Sequence, residues 1–329
     1  MGSIRFPNLG FEITAGNGFT IFGFEIRYYG IILALGLIAG AIFAYREAKR
    51  TGQKMDDYID LTIFLVIGAI IGARLYYVIF EWDYYSQHLK EIIDLRRGGI
   101  AIYGAVLGGA LTLFIFTRIK KLRFFQMGDT IIPGLLIGQI IGRWGNFFNR
   151  EAFGGFTDNF FAMQIPLSDV AADCVNESMI VNLYGVDYVQ VHPTFLYESA
   201  LNIIVLVLIL IFRDKKKFYG ETICRYLVGY GIVRFFVEGL RTDQLQFGNG
   251  IAASQLLSLI FVVIGLGVIL FMYIRFRGRT FVDPIPVKAG KKGEAVPDNN
   301  ESEDVVEIEE TTETSEDNVE ESETDNTEE

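Results

Sequence analysis

The chain has 329 residues, 51% hydrophobic and 14% aromatic, which excludes an ordinary soluble domain of this length. Its formal charge of −11 belongs to the tail: residues 294–329 hold 17 Asp and Glu and no Lys or Arg, so residues 1–293 carry 29 Lys and Arg against 23 Asp and Glu, a basic body suited to anionic lipid or to basic anchoring loops. Two cysteines and two widely separated histidines, with no CxxC or HExxH spacing, argue against a disulfide framework and against a metal site.

The first 20 residues lack a basic stretch followed by an apolar core, so no cleaved signal peptide is expected. Apolar runs then follow at residues 28–45, 61–80, 98–117, 130–148, 195–212, 222–237 and 244–274. The first, third and last are uncharged; the others hold Arg74, Arg143, Glu198, and Arg225 with Arg234. About 20 apolar residues cross the hydrocarbon core, and lipid offers backbone groups no partners, so each run must be a helix. None shows the alternation of a barrel strand. The expected fold is therefore an all-α polytopic membrane protein with seven transmembrane helices. The longest connection, residues 149–193, holds Gly154, Gly155, Pro166 and the aromatics Phe153, Phe156, Phe160 and Phe161, and is expected to form a small head outside the cytoplasm. From about residue 284 the chain is low-complexity Glu, Thr, Asp and Ser, the composition of a solvated disordered tail. The predicted organisation is a membrane catalytic domain over residues 1–280, its outer head at about 149–193, and a disordered acidic cytoplasmic tail over 281–329.

Lys and Arg cluster in alternate connections: Arg46, Lys49, Arg50 and Lys54; Arg118, Lys120, Lys121 and Arg123; Arg213, Lys215, Lys216 and Lys217; and Arg275, Arg277 and Arg279 after the last run. The other connections are poorer in positive charge, which places the N-terminus outside and the C-terminus on the cytoplasmic side of a cell membrane.

A charge at mid-membrane costs about 2.5–3.5 kcal/mol on insertion scales. Arg225, close to the cytoplasmic end of its run, reads as a snorkelling residue, and Arg74 reads equally well as structural or functional. Arg143 and Arg234 belong to denser polar clusters. Residues 142–154 read Gly-Arg-Trp-Gly-Asn-Phe-Phe-Asn-Arg-Glu-Ala-Phe-Gly. Arg143, Asn146 and Arg150, at i, i+3 and i+7, share a face if the helix continues. Arg234 and Glu238 are i, i+4 partners. Further clusters lie at residues 192–198 and 98–104, and Tyr28 and Tyr29 stand at the outer end of the first run, where an aromatic belt is the plain reading. His192, before Pro193, reads as structural. All clusters fall toward the outer half of the membrane. Guanidinium forks bind phosphate bidentately and stay charged in a dry pocket, so two such arginines suggest a site for an anionic phospholipid.

These residues resemble a known family. Residues 142–154 fit Gly-Arg-x-Gly-Asn-Phe-x-Asn-x-Glu-x-x-Gly, the signature of the prolipoprotein diacylglyceryl transferases, at every fixed position. Residues 28–30, 72–74, 98–104, 192–198 and 229–241 extend the resemblance in the family's order, over about residues 20–275. It implies transfer of the sn-1,2-diacylglyceryl group of phosphatidylglycerol to the thiol of a lipobox cysteine in a preprolipoprotein, with a thioether formed and glycerol-1-phosphate released. This is the first step of lipoprotein maturation, and it uses no metal or nucleotide cofactor. It implies that Arg143 and Arg234 are essential and implicates Tyr29, Asn146, Glu151, Gly154, Tyr230, Glu238 and Arg241; Asn149 lies in the same motif and Arg74 in another. The resemblance also brings a departure: the family often has a histidine, proposed as the base, where this chain has Tyr103. Tyrosine is by type a poor base near neutral pH compared with histidine. Either Tyr103 is deprotonated or serves as a hydrogen-bond relay beside an arginine, or the substrate thiol ionises near the arginines without a dedicated base; the second explanation is preferred.

Two competitors make distinct expectations. Another phospholipid head-group transferase would want clustered acidic metal ligands, and a transporter would want inverted repeats with helices broken in matching halves. The sequence has neither.

Overall fold

A computed structural model describes residues 2–14, 16–95, 98–244, 246–247, 251–278 and 281, all in one compact unit over Met1–Lys288. Arg96, Arg97, Arg279 and the expected acidic tail beyond residue 281 lie outside the described residues.

The chain begins with strands β1 (Ile4–Phe6), β2 (Phe11–Ile13), β3 (Gly18–Ile21) and β4 (Phe24–Arg27). Helices α1 (Tyr28–Arg50) and α2 (Met55–Phe80) follow, then the single turn α3 (Trp82–Tyr85), α4 (Ile102–Ile119) and α5 (Phe124–Asn149). Strands β5 (Met163–Pro166), β6 (Ile180–Leu183) and β7 (Val186–Val191) lead into α6 (Thr194–Ile211), α7 (Glu221–Leu240), the hairpin β8 (Gln246–Phe247) and β9 (Ile251–Ala252), and α8 (Ala253–Arg275). Six helices, α1, α2, α4, α5, α6 and α8, are long and apolar enough to cross a membrane. Helix α7 has 20 residues but carries Glu221, Arg225, Arg234 and Glu238, and those charges hold it below that standard. The fold thus corrects an all-helical expectation: it is mostly helical with a small sheet region. Leu35, Ile38, Ile71, Val106, Leu107, Val263 and Leu270 are exposed on the helix exteriors, an apolar surface suited to lipid and not to water.

The helices meet through glycine. In α1, Gly36 and Gly40 face Gly134 and Gly138 of α5; a Cβ on Gly36 would come 3.0 Å from the Gly138 carbonyl oxygen. In α2, Gly72 faces Gly104 and Gly108 of α4, where a Cβ would lie 2.8 Å from the Gly108 Cα. Small residues one turn apart let two backbones touch where lipid supplies no hydrophobic drive between helices.

The head is a sheet with strand order β2-β1-β5-β7-β6. The N-terminal β1 pairs antiparallel with β5, Arg5 opposite Gln164. Ile4, Ile165, Val189 and Val191 are at most 1% exposed, and the same core includes Phe147 of α5 and Phe195 of α6. The head is therefore fastened to the C-terminal end of α5 and the N-terminal end of α6.

Two helices, α4 and α8, start well inside their apolar runs. Residues 98–101 precede α4 as loop, with Gly98 and Gly99 at φ 83° and 74°, and residues 244–252 contain the β8–β9 hairpin. Composition alone does not separate apolar chain folded back on the bundle from apolar chain that crosses.

Candidate active site

Helices α5, α6 and α7 carry one continuous chain of charges. Glu198, in the second turn of α6, is 2% exposed. Its Oε1 lies 2.8 Å from Nη2 of Arg143 on α5, and its Oε2 lies 3.2 Å from Nη1 of Arg234 on α7. Arg234 Nη2 reaches Glu238 Oε2 at 2.5 Å, one turn along its own helix. Arg241, just past the end of α7, lies 3.9 Å from the same oxygen and grips Asp243 with two donors, at 2.6 and 2.9 Å. Burial pushes the Asp243 carboxyl up, yet the Arg241 hydrogen bonds and the charges of Arg241 and Arg234 together outweigh it and hold the group below its ordinary value. The order Arg143, Glu198, Arg234, Glu238, Arg241, Asp243 alternates three cations with three carboxylates, so the chain neutralises itself. An incoming anion has to take guanidinium donors away from carboxylates.

Beside this chain stands a second polar group. Glu151 Oε1 accepts from Asn146 Nδ2 at 2.9 Å and from Asn149 Nδ2 at 3.3 Å. The Tyr29 ring lies against Gly145, where a Cβ would come 2.6 Å from the ring carbon Cδ2, and its hydroxyl is within electrostatic reach of Glu151 and Arg143. Tyr230 stands beside Arg143 and stacks on Tyr226, ring centres 5.4 Å apart at 9°. Gly145 thus makes room for the aromatic ring that links the two groups.

Other residues singled out by sequence stand elsewhere. Arg74 spends all five N–H donors on backbone carbonyls: Nε on Ile92, Nη1 on Gly98 and Gly99, Nη2 on Glu91 and Asp94. It pins the loop between α3 and α4 through these carbonyls. Tyr103 opens α4 with its ring 6.3 Å from that of Tyr76; among the described residues no hydrogen bond or ion pair joins it to the charge chain. The α5 helix ends at Asn149, with Arg150 in the left-handed region at φ 54°. Arg150 therefore leaves the face of Arg143 and Asn146 and turns into the head, where it bonds Asn17 Oδ1 at 2.6 Å and meets Asp169 at 3.4 Å. Gly154 lies where head and α7 cross: it bridges to Arg241, and a Cβ there would lie 2.7 Å from the Leu240 carbonyl oxygen. Its role in this geometry is close backbone approach.

In the sequence Glu198 is marked only as a charge in an apolar run, and no local pattern marks Asp243. Only the fold puts one carboxylate between two arginines 91 positions apart in the chain. Among the described residues, no group of three or more His, Cys, Asp or Glu is arranged to hold a metal ion.

Residues 17–271 match the protein family described as prolipoprotein diacylglyceryl transferase. A Clostridioides difficile protein named phosphatidylglycerol–prolipoprotein diacylglyceryl transferase is 43% identical over 248 residues, covering 75% of this chain and 91% of the relative. The protein of that name from Finegoldia magna gives the same identity and coverage. One from Listeria monocytogenes is 40% identical over 268 residues, covering 82% of this chain and 93% of the relative.

Proposed function

This chain belongs to the prolipoprotein diacylglyceryl transferase family, and from that premise we propose that it moves the diacylglyceryl group of phosphatidylglycerol onto the thiol of a prolipoprotein's lipobox cysteine, with Arg143 and Arg234 handling the phosphate. The observation that carries this reading is their shared carboxylate: both guanidiniums meet Glu198, at 2.8 and 3.2 Å. A phosphodiester entering there replaces Glu198 as the partner of both forks, since it offers two oxygens and one negative charge to donors already aligned.

The thiol gives its proton to solvent, the nearby arginines make the thiolate less costly, and the phosphate monoester that departs takes up a proton once it is released. The thiolate attacks the glycerol carbon that bears the lipid phosphate. A C–S bond forms, the C–O bond breaks, and glycerol-1-phosphate departs. The leaving phosphate gains charge in the transition state, so guanidiniums fixed in advance stabilise it more than the ground state. Asn146, Asn149 and Glu151 orient the head group, and Tyr29 and Tyr230 line the approach to Arg143. Glu238 and Arg241 hold Arg234 in line. Tyr103 stands on the neighbouring α2–α4 pair, and the chemistry needs no base there.

The supporting topology has α7 as a seventh span, buried among charged partners of its own, with the N-terminus and head outside and the C-terminus in the bacterial cytoplasm. Lipid enters between helices from the outer leaflet.

The test is incubation of the purified protein with phosphatidylglycerol and a lipobox peptide. Wild type should yield glycerol phosphate and a peptide heavier by one diacylglyceryl group. Arg143→Ala and Arg234→Ala should each insert into membrane yet lose about 10²–10³-fold in rate, the usual effect of deleting one charge-stabilising donor. Transfer at the wild-type rate by both variants would overturn the assignment.

A further inference from the structure

Directly inward of the charge chain, the same three helices carry uncharged polar groups at one-turn spacing. Gln139 precedes Arg143 by four residues on α5, Asn202 follows Glu198 by four on α6, and Tyr226 and Tyr230 precede Arg234 by eight and four on α7. One turn is about 5.4 Å, and α6 runs opposite to the other two, so all these groups fall on the inward side. Ser199 Oγ donates to the Ile140 carbonyl at 3.1 Å and locks α6 to α5 at this level. Gln139 Nε2 donates to the Tyr226 hydroxyl at 2.9 Å.

Asn202 breaks the rule that buried polar groups are paired. It is 0% exposed, yet neither its amide nitrogen nor its amide oxygen has a hydrogen-bond partner among the described residues. The Gln139 carbonyl oxygen is likewise buried without a donor. Unpaired amides in the membrane interior are costly, and two of them on facing helices, one offering donors and both offering acceptors, are the partners that an internal water needs.

We propose that Asn202, Gln139 and Tyr226 line an internal water site one helical turn inward of the charge chain, and that Asn202 is a positioning residue that lets Glu198 release its two arginines. This rests on the proposed role of that chain in phosphate binding. When a phosphodiester takes Arg143 and Arg234, Glu198 is left as a buried carboxylate stripped of both cations. Water held by Asn202 and Gln139 supplies the donors that replace them. The Glu198 Oε1 atom already receives no hydrogen bond despite its ion contact with Arg143. Without the water, Glu198 keeps its grip and the lipid phosphate competes poorly.

The experiment uses the full chain in lipid nanodiscs. Asn202→Leu removes the polar atoms at similar volume, so a residue with only a packing role should tolerate it. We expect kcat/KM for phosphatidylglycerol to fall about tenfold while the melting temperature stays within a few degrees of wild type, because an apolar side chain of about the same volume fills the space of the amide. Asn202→Ser, which keeps a donor and leaves room for water, should stay within twofold of wild type. Asn202→Leu within twofold of wild type, or the two variants impaired alike, overturns the proposal. A structure that resolves ordered water decides independently of folding in the variants: water within hydrogen-bond distance of the Asn202 amide supports it, and a dry site overturns it. The two readings fail separately. Wild-type transfer by Arg143→Ala and Arg234→Ala removes the phosphate site, whereas full transfer by Asn202→Leu removes the water site alone.

Discussion

Arginine in this protein has several fates, decided by what stands across from it. Arg143 and Arg234 meet one carboxylate, Arg74 meets five carbonyls, Arg150 meets Asn17 and Asp169, and Arg225 meets the Phe212 carbonyl and Glu221. From sequence, Arg143 and Arg234 stood out because glycines, amides and a carboxylate crowd around them, whereas Arg74 offered little to decide between roles. Its commitment to Gly98 and Gly99 depends on a loop that returns 24 residues later, which no local pattern encodes. His192, read as structural from its place before Pro193, packs near Tyr197 and Asn159, with Nδ1 3.3 and 3.5 Å from their polar atoms. Burial holds its imidazole below the ordinary value. The folded head therefore binds fewer protons than the unfolded chain once pH drops past about 6.5, the unperturbed value. The stability that goes with a neutral ring is whole above that pH and is lost as pH falls through it. Thermal unfolding at pH 7.5 and 5.5 tests this: wild type should lose more melting temperature between the two than His192→Gln. Equal losses would mean that the ring's protonation is not linked to folding.

At the scale of elements, the bundle rests on backbone contacts that only glycine permits. A Cβ on Gly40 of α1 would collide with the Gly134 carbonyl of α5, whereas one on Gly267 of α8 meets nothing within 4 Å. Gly40→Ala should therefore destabilise by about 1–3 kcal/mol, the usual cost of overpacking. Gly267→Ala should be neutral or stabilise by up to about 1 kcal/mol, since alanine is the better helix former. Melting temperatures of the purified variants check both, and a Gly267→Ala loss equal to that of Gly40→Ala would mean that close approach is not what the glycines provide. The paired glycines were visible in the sequence as four-residue repeats at 36 and 40, 134 and 138, 68 and 72, and 104 and 108. Which stripe faces which was not, because pairing is a property of the bundle. The helices themselves were legible wherever an apolar run was long. The β8–β9 hairpin was lost inside such a run, and β1 to β4 were missed because their strands are only three or four residues long.

For the whole molecule, the N-terminal strands and the charge chain form one mechanical unit. Strand β1 closes the sheet against β5, and its Ile4 and Phe6 pack in the core that holds Phe147 and Phe195. Phe147 lies one turn after Arg143 on α5, and Phe195 lies three residues before Glu198 on α6. The head core thus sets the relative position of the two helices that must present a guanidinium and a carboxylate 2.8 Å apart. Residue Ile4 is 1% exposed and contributes no polar atom to the site. Truncating it to alanine should cost about 2–5 kcal/mol, through lost burial and the cavity left behind. If the head merely caps the bundle, that loss lowers the melting temperature and leaves turnover per folded molecule intact. If the head core aligns α5 with α6, Ile4→Ala also lowers kcat well below the folding midpoint, since misplacement by an ångström in a pre-aligned site costs rate steeply. Activity per folded molecule, measured at 20 °C beside the melting curve, separates the two. We expect kcat to fall at least fivefold, and an unchanged kcat with a lowered melting temperature would confine the N-terminal strands to stability.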